Sequence, residues 1–463
     1  MSKVKWFTLL MLLSGSLLFV GCGENGTEEN SIEEAAQKVD QANELLEDVL
    51  YELIQSELEG LDPTEVDFTP INALYKEALN LDPSNLEAHF GAGLTEILTI
   101  SMDSEFALVY DEWAAFLDTA SFFGMEGGGP PLSVRPSFPA RKENLSLPAD
   151  YLAVTTLGLV HWSLEDPPQV SDIQNVIEQA LLPKINYALE RLYRVDDDQN
   201  FQFIITPRMQ GDEDEDPIEL DLTEIYALEM SLNLLKSFCS AFISYDYDFA
   251  SYDSTGLHAA IQQSSSFLSL RSGGADDMAT AKSSFLSAVD NLEDGIEFLK
   301  GETDNQDDDL IKIDPDFFTE QDLDSILAYL PEVRGALTGI QEVTGDFDRD
   351  GDMETIEVGL GNIFDDPIEN YKAMFPPYTG SVERDSVGHY EWWWNGQEWE
   401  YIYVLDYTYF APVITWEADY FEEWIFPDPT FNGALPGMTD AEFKATFGLY
   451  EEDWSKRMKL GWE

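Results

Sequence analysis

Twelve consecutive residues carry the clearest chemistry in the chain: Asp346-Phe347-Asp348-Arg349-Asp350-Gly351-Asp352-Met353-Glu354-Thr355-Ile356-Glu357. Counting Asp346 as position 1, acids stand at positions 1, 3, 5, 7, 9 and 12, with glycine at position 6. A hard divalent cation such as calcium takes roughly six to eight oxygen ligands, and a short loop supplies them by curling round the ion. Gly351 permits the sharp turn this needs. Met353 is expected to anchor the loop to a core. The chemistry predicted is calcium binding through Asp346, Asp348, Asp350, Asp352, Glu354 and Glu357. The alternative is an acidic Asp-Gly turn without metal.

This spacing resembles the calcium loop of the EF-hand family. A full EF-hand also needs a helix on each side. A helix is expected before the loop, but Thr355-Ile356-Glu357-Val358-Gly359-Leu360-Gly361 is rich in β-branched residues and glycine, which are weak helix formers. The string from Gly345 to Gly351 is also similar to the calcium loop between strands in integrin-type propeller repeats. That resemblance implies Asp346, Asp348, Asp350 and Glu354 as ligands, in a helix–loop–strand or strand–loop–strand site. A single copy does not make a propeller, which needs several blades. The ion is expected to staple structure rather than regulate it, with an extracellular-type affinity on the order of 10⁻⁴–10⁻³ M.

A second constellation is aromatic. Tyr390-Glu391-Trp392-Trp393-Trp394-Asn395-Gly396-Gln397-Glu398-Trp399-Glu400-Tyr401-Ile402-Tyr403 reads as a hairpin, because Asn-Gly is favoured in a two-residue type I′ turn. That turn would set Trp392 opposite Trp399 and Tyr390 opposite Tyr401. Period-two alternation then collects Trp392, Trp394, Trp399 and Tyr401 on one face. An aromatic face flanked by carboxylates suits stacking on sugar rings or gripping a basic peptide. It equally suits packing into the core.

The third feature is at the start. Lys3 and Lys5 precede an apolar run, Trp6 to Val20, which is short for a membrane span. The run ends Leu17-Leu18-Phe19-Val20-Gly21-Cys22. It resembles a bacterial lipoprotein signal, in which cleavage before the cysteine is coupled to its lipidation. The resemblance implies a signal peptide over 1–21, lipidation of Cys22, a polar tether over 22–30 and anchoring at the bacterial outer membrane. The mature chain would hold 442 residues, the 463 of the sequence less the first 21. Cys239 would then be its one free thiol. It sits in an apolar stretch and is expected to be a buried packing residue.

Acids outnumber bases by 67, and loss of Lys3 and Lys5 takes the net charge from −67 to −69. Such a surface repels nucleic acid and attracts divalent cations or basic partners. With 44% hydrophobic and 13% aromatic residues, the chain nevertheless has a folding composition. A long amphipathic helix is predicted over 31–59, with Ile32, Ala35, Ala36, Val39, Ala42, Leu45, Leu46, Val49, Leu50 and Leu53 at helical spacing. Further helices are predicted at about 104–121, 149–164, 170–193, 222–244, 257–271, 275–300 and 318–342, and a last one over 438–454. Short strands are expected at Phe201–Ile205, Ile218–Leu222 and Thr355–Val358.

Tyr75-Lys76-Glu77-Ala78-Leu79-Asn80-Leu81-Asp82-Pro83-Ser84-Asn85-Leu86-Glu87-Ala88-His89-Phe90-Gly91-Ala92-Gly93 looks like the junction between two tetratricopeptide repeats. Tyr75, Ala78 and Pro83 match the aromatic, small and proline positions, and Ala88 and Gly93 the small positions of the next helix. His89 and Glu96 depart from the family's usual aromatic residues. The resemblance covers about 25 residues and implies packed antiparallel helix pairs.

The expectation is therefore a mainly α protein. A repeat-like antiparallel helical body (31–344) precedes a smaller C-terminal α+β region (345–463) carrying the calcium loop and the aromatic hairpin. The chain lacks a Gly-x-Ser-x-Gly elbow, a His-Glu-x-x-His pair and a phosphate loop. A non-catalytic scaffold or protein-binding module is expected, held to the membrane by its N-terminal lipid. Glycan or nutrient capture by the aromatic face is the alternative.

Overall fold

Apolar side chains three and four residues apart set the first helix, α1 (Glu28–Glu57). The computed structural model describes residues 28–57, 66–122, 169–196, 198–212, 214–248, 260–261, 263–303, 308–313, 319–347, 353–374, 381–394, 399–413 and 425–447. Ala35, Val39, Ala42, Leu46, Leu50 and Leu53 form the buried stripe of α1. Ile32 and Leu45 were expected on it but are 54% and 41% exposed, and Ala36 is exposed as well. The contact face is narrower than the periodicity because one helix, α2 (Thr69–Leu81), covers most of it.

Pro70 opens α2, where its missing N–H costs no hydrogen bond. Four residues then turn the chain back into α3 (Leu86–Leu98), whose first turn is capped by Asn85 accepting from the Ala88 amide at 2.8 Å. The buried Asn72 uses both of its side-chain donors: Nδ2 donates to the Ala92 carbonyl at 3.1 Å and to Thr95 Oγ1 at 3.0 Å. Phe90 carries the pair into the main core, with its ring 4.4 Å from Phe203 and 5.7 Å from Phe201. A fully buried side chain of this size contributes about 1.5–3 kcal/mol.

Helix α4 (Ser104–Phe122) follows. Next come α5 (Val170–Val176), a π turn (Ile177–Leu181) and α6 (Leu182–Leu192). Strands β1 (Phe203–Ile205) and β2 (Ile218–Leu220) fall within two of the expected strands and pair antiparallel. Helices α7 (Leu222–Ile243), α8 (Gly274–Gly301) and α9 (Glu320–Thr338) complete the helical body. α3 packs on α6, α6 on α7, α7 along α8, and α8 on α9. Gly93, expected at a close helix approach, faces the backbone of Ala188 on α6.

The α+β region consists of β3 (Gln341–Gly345), β4 (Glu354–Val358), a short helix α10 (Gly361–Asp365), β5 (Ser381–Trp394), β6 (Trp399–Val413) and α11 (Asp440–Thr446). β3 pairs with β4 and β5 with β6, both antiparallel. The protein is thus mainly helical with a small α+β region.

Several elements differ from expectation. The helix predicted over 318–342 stops at Thr338, because Gly339 ends it and Gln341–Gly345 alternates as a strand. The helix predicted over 257–271 does not pass Gln263. Ser264 instead accepts from the Phe267 amide, Ser269 donates to the Ser266 carbonyl, and Leu268 adopts a φ of 61°. Serine hydroxyls offer the backbone a local alternative to helical bonding. The described part of the last helix covers only Asp440–Thr446. The helix predicted over 149–164 lies outside the described residues.

Candidate functional site

The acidic loop joins two strands. Gly345 and Glu354 are Cα partners at the open end of the β3–β4 pair, so the loop leaves and returns at one rung. This is the strand–loop–strand arrangement; the helix on each side that a full EF-hand needs is replaced by strands. Asp346 and Glu354 flank the loop, and Glu354 Oε2 accepts from the Phe347 amide at 3.3 Å. Asp348, Asp350 and Asp352 lie outside the described residues. Among the described residues no group of three or more metal-ligating side chains converges.

Glu357 belongs elsewhere. It pairs with Glu342 across the strands, three residues beyond Glu354, about 10 Å further along at the strand's rise. An odd separation also puts it on the opposite face. Glu354 is half-buried and Glu357 is exposed. Of the six predicted ligands, Asp346 and Glu354 are the described ones at the mouth of the loop, and Glu357 stands apart from them.

Met353 does not anchor the loop, since it is 66% exposed. Phe347 does so instead. Its ring folds over Gly345, where an added Cβ would meet it at 3.3 Å, and stands 6.2 Å from Phe447. Phe447 in turn meets Phe443 at 4.9 Å, and Phe443 meets Phe426 at 4.9 Å and Phe431 at 5.2 Å. The meeting of Phe447 with a loop residue 100 positions earlier is not visible in any local pattern.

This aromatic cluster rests on an ordered turn over 425–438. Phe431, Asn432 and Gly433 all have left-handed backbones, with φ of 47°, 57° and 81°. Asp428 compensates for that strain by accepting from the Thr430 amide and hydroxyl and from the Asn432 amide. Burial raises the Asp428 pKa, but these donors outweigh it and hold the carboxyl below its ordinary value. The turn is tied to the strand pair's exit: the Gly359 amide donates to the Ala434 carbonyl at 2.8 Å, and Asn362 Nδ2 to the Gly433 carbonyl at 2.7 Å.

In the aromatic hairpin the register is Trp394 opposite Trp399, Trp392 opposite Tyr401 and Tyr390 opposite Tyr403. This corrects the expected pairing by two residues and leaves 395–398 between the strands. Aromatic positions now oppose aromatic positions at three rungs rather than two, and cross-strand pairing of this kind outweighs the preference for a two-residue Asn-Gly turn. A slip of two keeps Trp392, Trp394, Trp399 and Tyr401 in phase.

The repeat-like helix pair is held by Tyr75 Oη donating to Asn43 Oδ1 at 2.5 Å, and Asn43 Nδ2 donating to Glu87 Oε1 at 2.7 Å. His89 is buried, with Nε2 3.0 Å from the Pro83 carbonyl, and acts as a packing residue. Cys239 is buried and free, and burial pushes its thiol up to about 11. Cys22 lies outside the described residues, and none of the described helices is long and apolar enough to cross a membrane. No protein-family model, curated protein or solved structure matches the chain.

Proposed function

We propose that this chain is a non-catalytic, lipid-anchored scaffold or protein-binding module of the bacterial cell envelope, stapled by one calcium ion. The observation that carries the calcium reading is the closed strand–loop–strand, pinned at Gly345 and Glu354 and held by Phe347 on the C-terminal aromatic cluster. An isolated two-stranded hairpin is marginal in water. An ion bridging Asp346, Asp348, Asp350 and Glu354 would offset the repulsion of a loop dense in carboxylates. The lipobox-like run ending at Cys22 supports the anchor, and the packed helix pairs support a binding surface.

The test is thermal unfolding of the mature chain in millimolar calcium and in chelator, beside Asp348→Ala. A calcium-dependent rise lost in the variant supports the reading, and an unchanged wild type removes the ion from it. Membrane fractionation of Cys22→Ala against wild type tests the anchor separately: equal partition would remove the lipid.

The second reading, glycan capture, is favoured by one observation. Four aromatic residues occupy paired positions on one face of the β5–β6 pair, Trp392 with Tyr401 and, two rungs on, Trp394 with Trp399. A tryptophan fluorescence change with polysaccharide, absent in Trp392→Ala, would favour it over the scaffold.

A further inference from the structure

Helices α6, α7 and α8 enclose a polar groove of about 320 Å³. That volume lies within the range of small-molecule sites. Lys236 of α7 lines it, facing Asn186 and Tyr193 at the α6 end and Ser284 and Ser287 on α8. Lys236 is the anomaly. In a chain with 91 acids, the other half-buried basic side chains among the described residues have partners. Lys184 meets Glu96, Arg271 meets Glu178, Lys282 meets Asp365, and Arg334 meets Asp290 and Glu293. Lys236 has neither an ion pair nor a hydrogen bond among the described residues. Burial lowers its pKa, and no carboxylate opposes that. A half-buried ammonium without a counter-charge is costly to fold.

Tyr193, Ser284 and Ser287 bring three hydroxyls to the groove lining. Asn233 Nδ2 donates to Tyr193 Oη at 2.8 Å and to Asn291 Oδ1 at 3.1 Å. Tyr193 Oη thus accepts one bond, and its own O–H has no acceptor among the described residues. Asn291 Nδ2 donates onward to Glu229 Oε2 at 2.6 Å. Glu229 is fully buried, and desolvation followed by repulsion from Asp196 and Asp294 pushes its pKa to about 9. The carboxyl under the groove is therefore neutral at pH 7. Glu190 is the one acid at the rim, and Arg191 holds it at 2.5 Å. Ser284 and Ser287 have no side-chain hydrogen bond among the described residues, so both hydroxyls are available.

We propose that this groove binds a small molecule through an oxyanion group, a carboxylate, phosphate or sulfate. Lys236 supplies the counter-charge, and the hydroxyls of Tyr193, Ser284 and Ser287 donate to its oxygens. The site is independent of the calcium loop and of the lipid anchor.

The test is the unfolding midpoint of the full mature chain in millimolar sodium phosphate, sulfate or glucuronate. Chloride at matched ionic strength and pH is the reference. At least one oxyanion should raise the wild-type midpoint by about 2–4 °C over chloride. Lys236→Met should lose that rise and Lys236→Arg should keep part of it. In chloride Lys236→Met should unfold at or above the wild-type temperature, because it removes an unpaired charge, so the comparison stays readable. Ser287→Ala, which keeps Lys236, should weaken the same response. Which of the three probes acts identifies the oxyanion. Equal rises in wild type and Lys236→Met would mean general salt stabilisation and overturn the site. So would the absence of a rise with all three.

Discussion

The ring of Tyr75 occupies the space that a side chain at Gly91 would need: an added Cβ would stand 2.3 Å from Cζ. The two residues lock α2 onto α3, and the same ring carries the hydroxyl that bonds Asn43 on α1. One aromatic side chain therefore joins three helices, and it can do so only because position 91 has no side chain. Gly91→Ala should destabilise by about 1–3 kcal/mol through overpacking. Tyr75→Phe should cost about 1 kcal/mol through loss of the buried hydrogen bond. Urea unfolding of both variants checks the order of these effects; a Gly91→Ala midpoint equal to wild type would contradict the packing.

Glu229 makes stability depend on pH. Its folded pKa, near 9, lies above its ordinary value of 4.5, so the native state holds the proton that the unfolded state releases. The stabilisation is full below about pH 4.5 and is lost as pH rises toward 9, with a slope of up to about 1.4 kcal/mol per pH unit. Glu229→Gln keeps the shape and the bond from Asn291 while abolishing the titration. Its stability should exceed wild type at pH 8, and its profile should be flatter between pH 5 and 9. Parallel wild-type and variant profiles would show that Glu229 is already ionised in the fold.

Phe347 is expected to be the loop's mechanical link to the C-terminal cluster. Phe347→Ala should cost about 1–2 kcal/mol and selectively speed amide exchange in β3 and β4. Met353→Ala, at an exposed position, should leave both unchanged. Equal exchange in the two variants would remove Phe347 from that role.

Calcium dependence separates the ligands. If the ion sits between the strands, Asp348→Asn and Glu354→Gln should each abolish a calcium-induced rise of about 2–4 °C in the melting temperature. Glu357→Gln should retain the rise. It should also raise stability slightly in chelator, because it removes the like charge paired with Glu342. Loss of the rise in Glu357→Gln would bring back the twelfth-position ligand.

The hairpin register can be read chemically. Cysteines placed at 392 and 401 stand on opposed rungs, about 4.5–5.5 Å apart at Cα, within disulfide reach. Cysteines at 392 and 399 are offset by two and stand about 7–8 Å apart. Oxidation should bridge the first pair and spare the second, and the reverse result would restore a two-residue turn.

Much of this protein is decided by short-range chemistry. α1, α2, α3 and α7, the β1–β2 pair and β4 follow from apolar periodicity and from capping residues such as Asn85 and Asp221, all within a few residues of one another. The acidic spacing from Asp346 to Glu357 and the aromatic run from Tyr390 to Tyr403 are equally local. For that reason the calcium and glycan readings were available from the sequence alone. Where the local signals conflicted, they failed. Serines at 264–266 ended a helix that the surrounding pattern would have continued, and aromatic rungs overruled the Asn-Gly turn.

Which surfaces meet is set by long-range packing. Nothing near Phe347 in the chain points to Phe447, and nothing near Lys236 shows that no acid will reach it. Most of the elements follow from local sequence, because backbone propensity and capping act over a turn or two. Partnership across the fold determined the roles of Glu229, Phe347 and Lys236, because burial, desolvation and pairing depend on what long-range packing brings to each side chain.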